Sequence, residues 1–317
     1  MGEDRNPVDE AKIKAAALAV IATGSLTAIK LITGFVTGSV SVISEGVHSG
    51  TDLLAAVMAL FAVRQAAKPP DRQHRYGHGK FESLSAALEA LLIWVACYLV
   101  ASEAIVRLRT GHQLQLPTIA IGVMILTLPV NFFVSQRLFS VARQTSSLAL
   151  EADAWHQRAD FYTTLAVIVG LILLTLTGWH WLDPLLALVV VVLVARAGYT
   201  LLRDAVYHLV DTALPPEEEA IVERALSNQS HRFINFHHLR TRRTGSRRNI
   251  DLHLVVRDDM TVDEAHQLCD EIEEEIRKGI PDADVTIHIE SESAHQRQGI
   301  EEAHLPHQVS QRQSANS

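Results

Sequence analysis

The chain has 317 residues, 48% of them hydrophobic and 20% charged, with a formal net charge of −8 at pH 7. The acidic balance argues against nucleic acid, which demands a basic face, and two cysteines, Cys97 and Cys269, are too few for a disulfide framework or a cysteine-based zinc site. Up to about residue 203 the sequence is a series of apolar runs; beyond it the composition turns charged and mixed, a split that a uniform soluble protein does not show.

The opening stretch, Met1 to Glu10, is acidic and polar. A signal peptide needs a basic start and a short apolar core, so the first apolar run is expected to remain as a membrane span. Six spans follow, each near the ~20 residues that cross the hydrocarbon: Ala15–Val36, Ser39–Val63, Leu84–Val106, Ile119–Val141, Ala149–Leu176 and Leu182–Leu202. Gly34 and Gly38 mark a tight turn between the first two, and Pro117 and Pro129 flank and interrupt the fourth. Arg64, Lys68, Arg72, Arg75 and Lys80 crowd the second connection, Arg137 and Arg143 flank the fourth, and the first and fifth connections carry no Lys or Arg. Arg107 and Arg109 run against this bias, but on balance both termini and the even connections are expected in the cytoplasm.

The second half reads helix, strand, strand, helix, strand. Pro215-Pro216-Glu217-Glu218-Glu219 is a helix start, with proline early and acids in the first turn. Phe236–Arg243 and Asn249–Val256 read as strands of a hairpin around Thr244-Gly245-Ser246. Thr261 opens a helix in which Val262, Ala265, Leu268, Cys269, Ile272 and Ile276 recur at helical spacing, and Asp284–Glu290 alternates as a half-buried strand. That order suits a small α+β sandwich. After about Ser291 the chain is polar and aperiodic, and is expected to be disordered.

Three constellations carry chemistry. His48 and Asp52, like His156 and Asp160, stand four residues apart in or beside long apolar runs. On a helix that spacing stacks both side chains on one face. Two such helices brought together offer two imidazoles and two carboxylates, a ligand set for tetrahedral zinc that also tolerates cobalt or cadmium. Two carboxylates offset the dication, and without metal the cluster takes up protons, which is the physical basis of metal/proton exchange. Glu45, one turn before His48, either assists or plays a structural part. Next, Asp71, His74 and His78 fall within eight residues of a basic loop, and either bind a second zinc or form a solvated, headgroup-facing loop. Last, His237, His253, His266, His288 and Glu290 spread over the second half, with His288 and Glu290 sharing a strand face; a shared site and scattered surface histidines are both open readings. His295, His304 and His307 in the tail serve at most to raise local metal concentration.

Taken in order, Thr37–Ser49 (TGSVSVISEGVHS), His74–Lys80 (HRYGHGK) and Ala152–Asp160 (ADAWHQRAD) make the chain resemble the cation diffusion facilitators, especially their bacterial zinc/proton antiporters, over about Ile13 to Glu290. The resemblance implies that His48, Asp52, His156 and Asp160 form a transport site between the second and fifth helices, and that Asp71, His74 and His78 bind a metal in the loop. It implies that His237, His253, His266, His288 and Glu290 bind a zinc pair in a ferredoxin-like cytoplasmic domain that pairs two subunits, and that Lys80 and Asp211 form a charge interlock across the dimer. Three departures stand out: histidine at position 48 where many bacterial relatives carry aspartate, Glu290 where aspartate is common, and no histidine between Arg137 and Ser147.

The expected protein is thus a polytopic α-helical membrane protein of six transmembrane helices with a C-terminal α+β ferredoxin-like cytoplasmic domain. Residues 1–14 form a cytoplasmic segment, 15–206 the transport domain, 207–290 a metal-sensing and dimerisation domain, and 291–317 the tail. The expected activity is Zn²⁺ efflux by proton antiport in a bacterial inner membrane, by a homodimer in the lipid bilayer that uses Zn²⁺ as substrate and regulatory ligand and no organic cofactor. The alternatives are the same architecture exporting Fe²⁺, Co²⁺, Cd²⁺ or Mn²⁺, or a metal sensor without transport. An intramembrane zinc enzyme is disfavoured by the lack of His-Glu-x-x-His and of an open coordination position.

Overall fold

In a computed structural model the chain is described over residues 6–38, 40–110, 118–179, 181–280 and 282–297. It divides into two compact units at Val210 and Asp211.

The first unit holds α1 (Pro7–Thr37), α2 (Val40–Ala66), α3 (Lys80–Thr110), α4 (Thr118–Thr145), α5 (Leu148–Thr177) and α6 (Leu182–Leu209). Among the described residues these six helices are long and apolar enough to cross a membrane. Several run past the apolar runs that mark them in the sequence, because polar end turns continue the backbone ladder beyond the hydrocarbon. Pro7 at the first helical position and Asn6, whose side chain accepts from the Val8 amide, start α1. Gly38 ends it with φ +64, a left-handed cap that glycine adopts without penalty. Pro129 does not interrupt α4 as expected. Its missing N–H costs one rung toward the Ile125 carbonyl, and the helix continues on both sides within a packed bundle.

Small residues form the seams of this unit. Ala15, Ala16 and Ala19 of α1 meet Ala62 and Val63 of α2, Leu138 of α4 and Ala154 of α5. A second seam joins Ala86, Ala90 and Ile93 of α3 to Ala152 of α5 and Val194 and Ala205 of α6. Small side chains let helix backbones approach closely where lipid offers no hydrophobic drive for packing. Large apolar side chains such as Ile32, Leu54, Phe133, Ile172 and Val192 point outward, as a lipid-facing surface requires. One end of the bundle is tied by a buried polar bolt. Lys12 Nζ of α1 lies 3.0 Å from Glu82 Oε1 of α3, and the Ser147 hydroxyl, at the N-cap of α5, donates to Glu82 Oε2.

The second unit holds α7 (Pro216–Asn228), β1 (Asn235–Thr244), β2 (Arg247–Val256), α8 (Val262–Gly279), β3 (Ala283–Ser291) and α9 (Glu292–Arg297). The sheet order is β1-β2-β3, with β1 antiparallel and β3 parallel to β2. The parallel pairing requires the α8 crossover. A full capping box starts α8: the Thr261 hydroxyl accepts from the Glu264 amide while Glu264 accepts from the Thr261 amide. Leu252 and Leu254 of β2, Val222 and Leu226 of α7, and Leu268, Ile272 and Ile276 of α8 form one hydrophobic core. The segment expected to be a disordered tail begins with α9, too short to leave a hydrophobic period in the sequence. Its start is held by the Ser293 amide donating to Asp258 Oδ1 (3.0 Å) and the Ala294 amide donating to Ser291 Oγ (3.3 Å). His304 and His307 lie outside the described residues.

Candidate metal centres

The helical spacing of His48 and Asp52 on α2 and of His156 and Asp160 on α5 turns both pairs to one shared space. Donor atoms of His48, Asp52 and Asp160 all lie within 4.8 Å of one another, and His156 Nε2 is 3.2 Å from Asp52 Oδ1. Asp52 is buried and the His156 side chain nearly so. The four ring a cavity of about 710 Å³ that Lys30, Glu45, Glu103, Arg107 and Asp183 also line. Lys30 Nζ donates to Ser49 Oγ (2.6 Å) and lies 3.5 Å from Glu45 Oε2, so Glu45 is engaged with a cation. Gln157 Nε2 donates to Thr23 Oγ1 (2.8 Å), fixing α5 against α1 beside the cluster.

Two further carboxylates in this unit escape a reading by ligand spacing. Glu89 of α3 and Asp153 of α5 are fully buried, and Glu89 Oε2 and both Asp153 oxygens have no hydrogen-bond partner in the structure. The signal for them in the sequence is an acid set within an apolar run, since ionisable groups at membrane depth are costly and face an interior.

The loop between α2 and α3 folds Asp71, His74 and His78 together, with donor atoms within 4.8 Å of one another. Asp71 Oδ1 accepts from the Gln73 (2.8 Å) and His74 (2.6 Å) amides and lies 3.4 Å from His74 Nδ1, while Asp71 Oδ2 is 3.3 Å from His78 Nε2. The His74 amide hydrogen bond, followed by that of Gln73 and by the two imidazoles, holds the Asp71 carboxyl below the usual range. The backbone turns at Gly77, φ +82, which returns His78 toward His74 at a ring separation of 4.4 Å.

The second unit builds its cluster from strand register. His237 of β1 sits opposite His253 of β2, and His253 opposite His288 of β3, so three imidazoles stand in one row across the sheet. Neighbouring rings are 5.1 and 4.7 Å apart. Glu290, two residues beyond His288, shares that face and takes the centre: Oε1 is 2.7 Å from His253 Nδ1 and Oε2 is 3.2 Å from His237 Nε2. Burial pushes the Glu290 carboxyl up, but hydrogen bonds from His253 and His237 outweigh it and leave it below the usual range. Burial lowers the His237 imidazole against the pull of Glu290, which favours the neutral form of the ring. A bulge between His237 and Arg240, with His238 at φ +50, brings His238 within 5.2 Å of the His253 ring. His295 of α9 also reaches Glu290. His266 does not join: on α8 it is exposed, with Asp270 Oδ2 at 3.7 Å. Lys80 Nζ donates to the Leu209 carbonyl (3.3 Å) and Asp211 Oδ2 is 3.5 Å from Arg242; Lys80 and Asp211 belong to different units.

Residues 16–210 match the model of the cation efflux transmembrane domain, and residues 214–292 that of the cation efflux protein cytoplasmic domain. The chain belongs to the cation diffusion facilitator family. Among relatives of this facilitator, the cation-efflux pump FieF of Yersinia pestis (strain Pestoides F) is 36% identical over 278 residues, 87% of this chain and 92% of that one. An uncharacterized transporter of Synechocystis sp. is 34% identical over 275 residues, 86% of this chain and 89% of that one. The solved zinc form of the transporter CzrB is 44% identical, covering 26% of this chain and 92% of that one, with a TM-score of 0.24. The metal-bound C-terminal domain of the CzcD transporter from Thermotoga maritima is 32% identical over 24% of this chain and 87% of that one, with a TM-score of 0.23. The facilitator is therefore an integral membrane cation-efflux transporter.

Proposed function

We propose that the chain exports Zn²⁺ from the cytoplasm in exchange for protons, with His48, Asp52, His156 and Asp160 as the transport ligands. The observation that carries this reading is the convergence of two i, i+4 His–Asp pairs from α2 and α5 on one cavity. Two imidazoles and two carboxylates suit a tetrahedral ion of borderline softness, which favours Zn²⁺ over Mn²⁺, Mg²⁺ or Ca²⁺. Loading metal needs deprotonated ligands, so protons and zinc compete for the same lone pairs and the exchange is built into the site.

With the amino terminus in the cytoplasm of a bacterial inner membrane, the Lys12–Glu82–Ser147 bolt closes the inner end of the bundle. Glu103, Arg107 and Asp183, which line the cavity, come from the outer ends of α3 and α6. That arrangement is an outward-facing one, in which protons displace the ion. Rocking of the helices then returns the protonated site inward. Asp71, His74 and His78 hold a second ion in the loop. The row of His237, His253 and His288 around Glu290 holds regulatory zinc in a cytoplasmic domain through which two subunits pair, with His266 turned away from that row within one chain. Lys80 and Asp211 interlock the membrane and cytoplasmic parts of the dimer.

The test is zinc uptake by inside-out proteoliposomes under an imposed pH gradient. Wild type takes up zinc and collapses the gradient, and Asp52→Ala and Asp160→Ala lose both. Competition by Fe²⁺, Co²⁺ and Cd²⁺ in the same assay ranks the cargo. Zinc binding by wild type with no flux would refute transport at this site.

A further inference from the structure

The Glu290 carboxylate divides its surroundings in two. Oε1 faces His253 Nδ1 at 2.7 Å and His288 Nε2 at 3.8 Å, while Oε2 faces His237 Nε2 at 3.2 Å and His295 Nδ1 at 3.4 Å. Two ligands each about 2.0–2.1 Å from one zinc at the tetrahedral angle lie about 3.3–3.4 Å apart. The two contacts on the Oε2 side, at 3.2 and 3.4 Å, are close to that separation. The His237 and His295 rings are 4.7 Å apart at 42°, neither stacked for packing nor joined by a hydrogen bond. His237 Nδ1 is buried without a hydrogen-bond partner, and His295 Nδ1 has Glu290 Oε2 as its neighbour at 3.4 Å. Donor atoms of His237, Glu290 and His295 all lie within 4.8 Å of one another, close enough to share one ion.

His295 lies on α9, and α9 is an odd helix to find in place. It has six residues and buries none of them. Helices of that length have no stability of their own in water, and no apolar face holds this one down. Its described anchors are two amide hydrogen bonds at its start, a turn of Arg297 back to Ser293, and His295.

We propose that His295 is a metal ligand, and that a divalent ion shared by His237, Glu290 Oε2 and His295 fastens α9 onto the sheet. The proposal rests on the reading of the Glu290 cluster as a metal site and adds a ligand from outside the sheet. Glu290 then bridges two ions, one on the His253–His288 side and one on the His237–His295 side. The second has three protein ligands and a fourth position for water or another donor. Occupancy of that ion is converted into docking of α9 on the sheet.

Cobalt(II) replaces zinc as a spectroscopic probe of full-length protein in detergent. His295→Cys places a thiolate donor at the proposed ligand position, and a thiolate bound to Co²⁺ gives a charge-transfer band in the near ultraviolet. The natural cysteines are both buried, so wild type supplies the baseline. We expect the band in His295→Cys, and not in Gln296→Cys or in His295→Cys combined with Glu290→Ala. In parallel, zinc slows amide exchange of residues 292–297 by about tenfold or more in wild type and leaves it unchanged in His295→Ala. Cobalt binding that depends on Glu290 but gives no band in His295→Cys overturns this proposal and leaves the cluster standing as a metal site. Cobalt spectra that are the same in wild type and Glu290→Ala overturn the cluster, and the proposal with it.

Discussion

Lys12→Met removes the cation from the buried bolt that joins α1, α3 and α5. Lys12 and Glu82 side chains are 3% and 2% exposed, so water screens neither charge. At 3.0 Å and an effective dielectric of about 20 the direct attraction is about 5–6 kcal/mol. Desolvating two ions offsets much of that, and breaking a buried pair from one side leaves a net loss of about 3–5 kcal/mol. Ser147 still donates to Glu82 in Lys12→Met, which puts that variant at the lower end, about 3 kcal/mol. Glu82→Ala takes the buried acceptor from both Lys12, which keeps Asp9 Oδ1 at 3.9 Å, and the Ser147 hydroxyl, and falls at the upper end, about 5 kcal/mol. The double variant Lys12→Met/Glu82→Leu leaves no buried charge and takes from the Ser147 hydroxyl only the acceptor of its hydrogen, at about 1–3 kcal/mol below wild type. Reversible unfolding in mixed detergent micelles measures all four proteins. The reasoning is refuted if Lys12→Met costs under about 1 kcal/mol, or if the double variant loses the sum of the two single losses.

Other consequences are open to measurement. Burial, with Glu273 and Asp270 nearby, pushes the Cys269 thiol up to about 11. The neutral thiol therefore prevails below that pH, so at pH 8 its alkylation in native protein is about 100-fold slower than for an ordinary thiol and rises about tenfold per pH unit up to pH 10; a rapid, pH-independent reaction would contradict this. Ile272→Ala, in the fully buried face of α8, costs about 2–5 kcal/mol and lowers amide-exchange protection across β2 and β3 together, leaving α1–α6 unaffected. Zinc at a hundredfold excess over its dissociation constant stabilises the C-terminal unit by about 2.7 kcal/mol. A chelator reverses this, and Glu290→Ala abolishes it; stabilisation that survives in Glu290→Ala would place the responsible ion elsewhere.

The six helices and the order of the second unit are legible because each rests on a local signal: apolar length, the Thr261–Glu264 box, the alternation of Val285, Ile287 and Ile289. The i, i+4 pairs of the intramembrane quartet are legible for the same reason, since one helix fixes their geometry. What the sequence hides is set by register and by long-range approach. Nothing local says that His237, His253 and His288 fall level across three strands, because that depends on how β1 and β3 pair with β2. The bulge after His237 and the seating of His295 are hidden likewise, and so is the bolt, whose Lys12 and Glu82 are 70 residues apart. Pro129 misleads because its cost in an isolated helix is not its cost inside a bundle.

The alanine seams have a mechanical meaning. Ala15, Ala16 and Ala19 share one seam with Ala62 and Ala154, and Ala86 and Ala90 share another with Ala152 and Ala205; these alanines carry no side-chain torsions and little relief, beside larger residues such as Leu138 and Ile93. Interdigitated leucines resist sliding, because each step forces a rotamer change against a neighbour. Two alanine faces have no such teeth, and ordering them costs no side-chain entropy. The alanine stretches of the helices that carry the His–Asp pairs thus offer little to catch on, and polar fastenings add to what resists their relative motion: Lys12 with Glu82 and Ser147, Lys30 with Ser49 and Glu45, and Gln157 with Thr23.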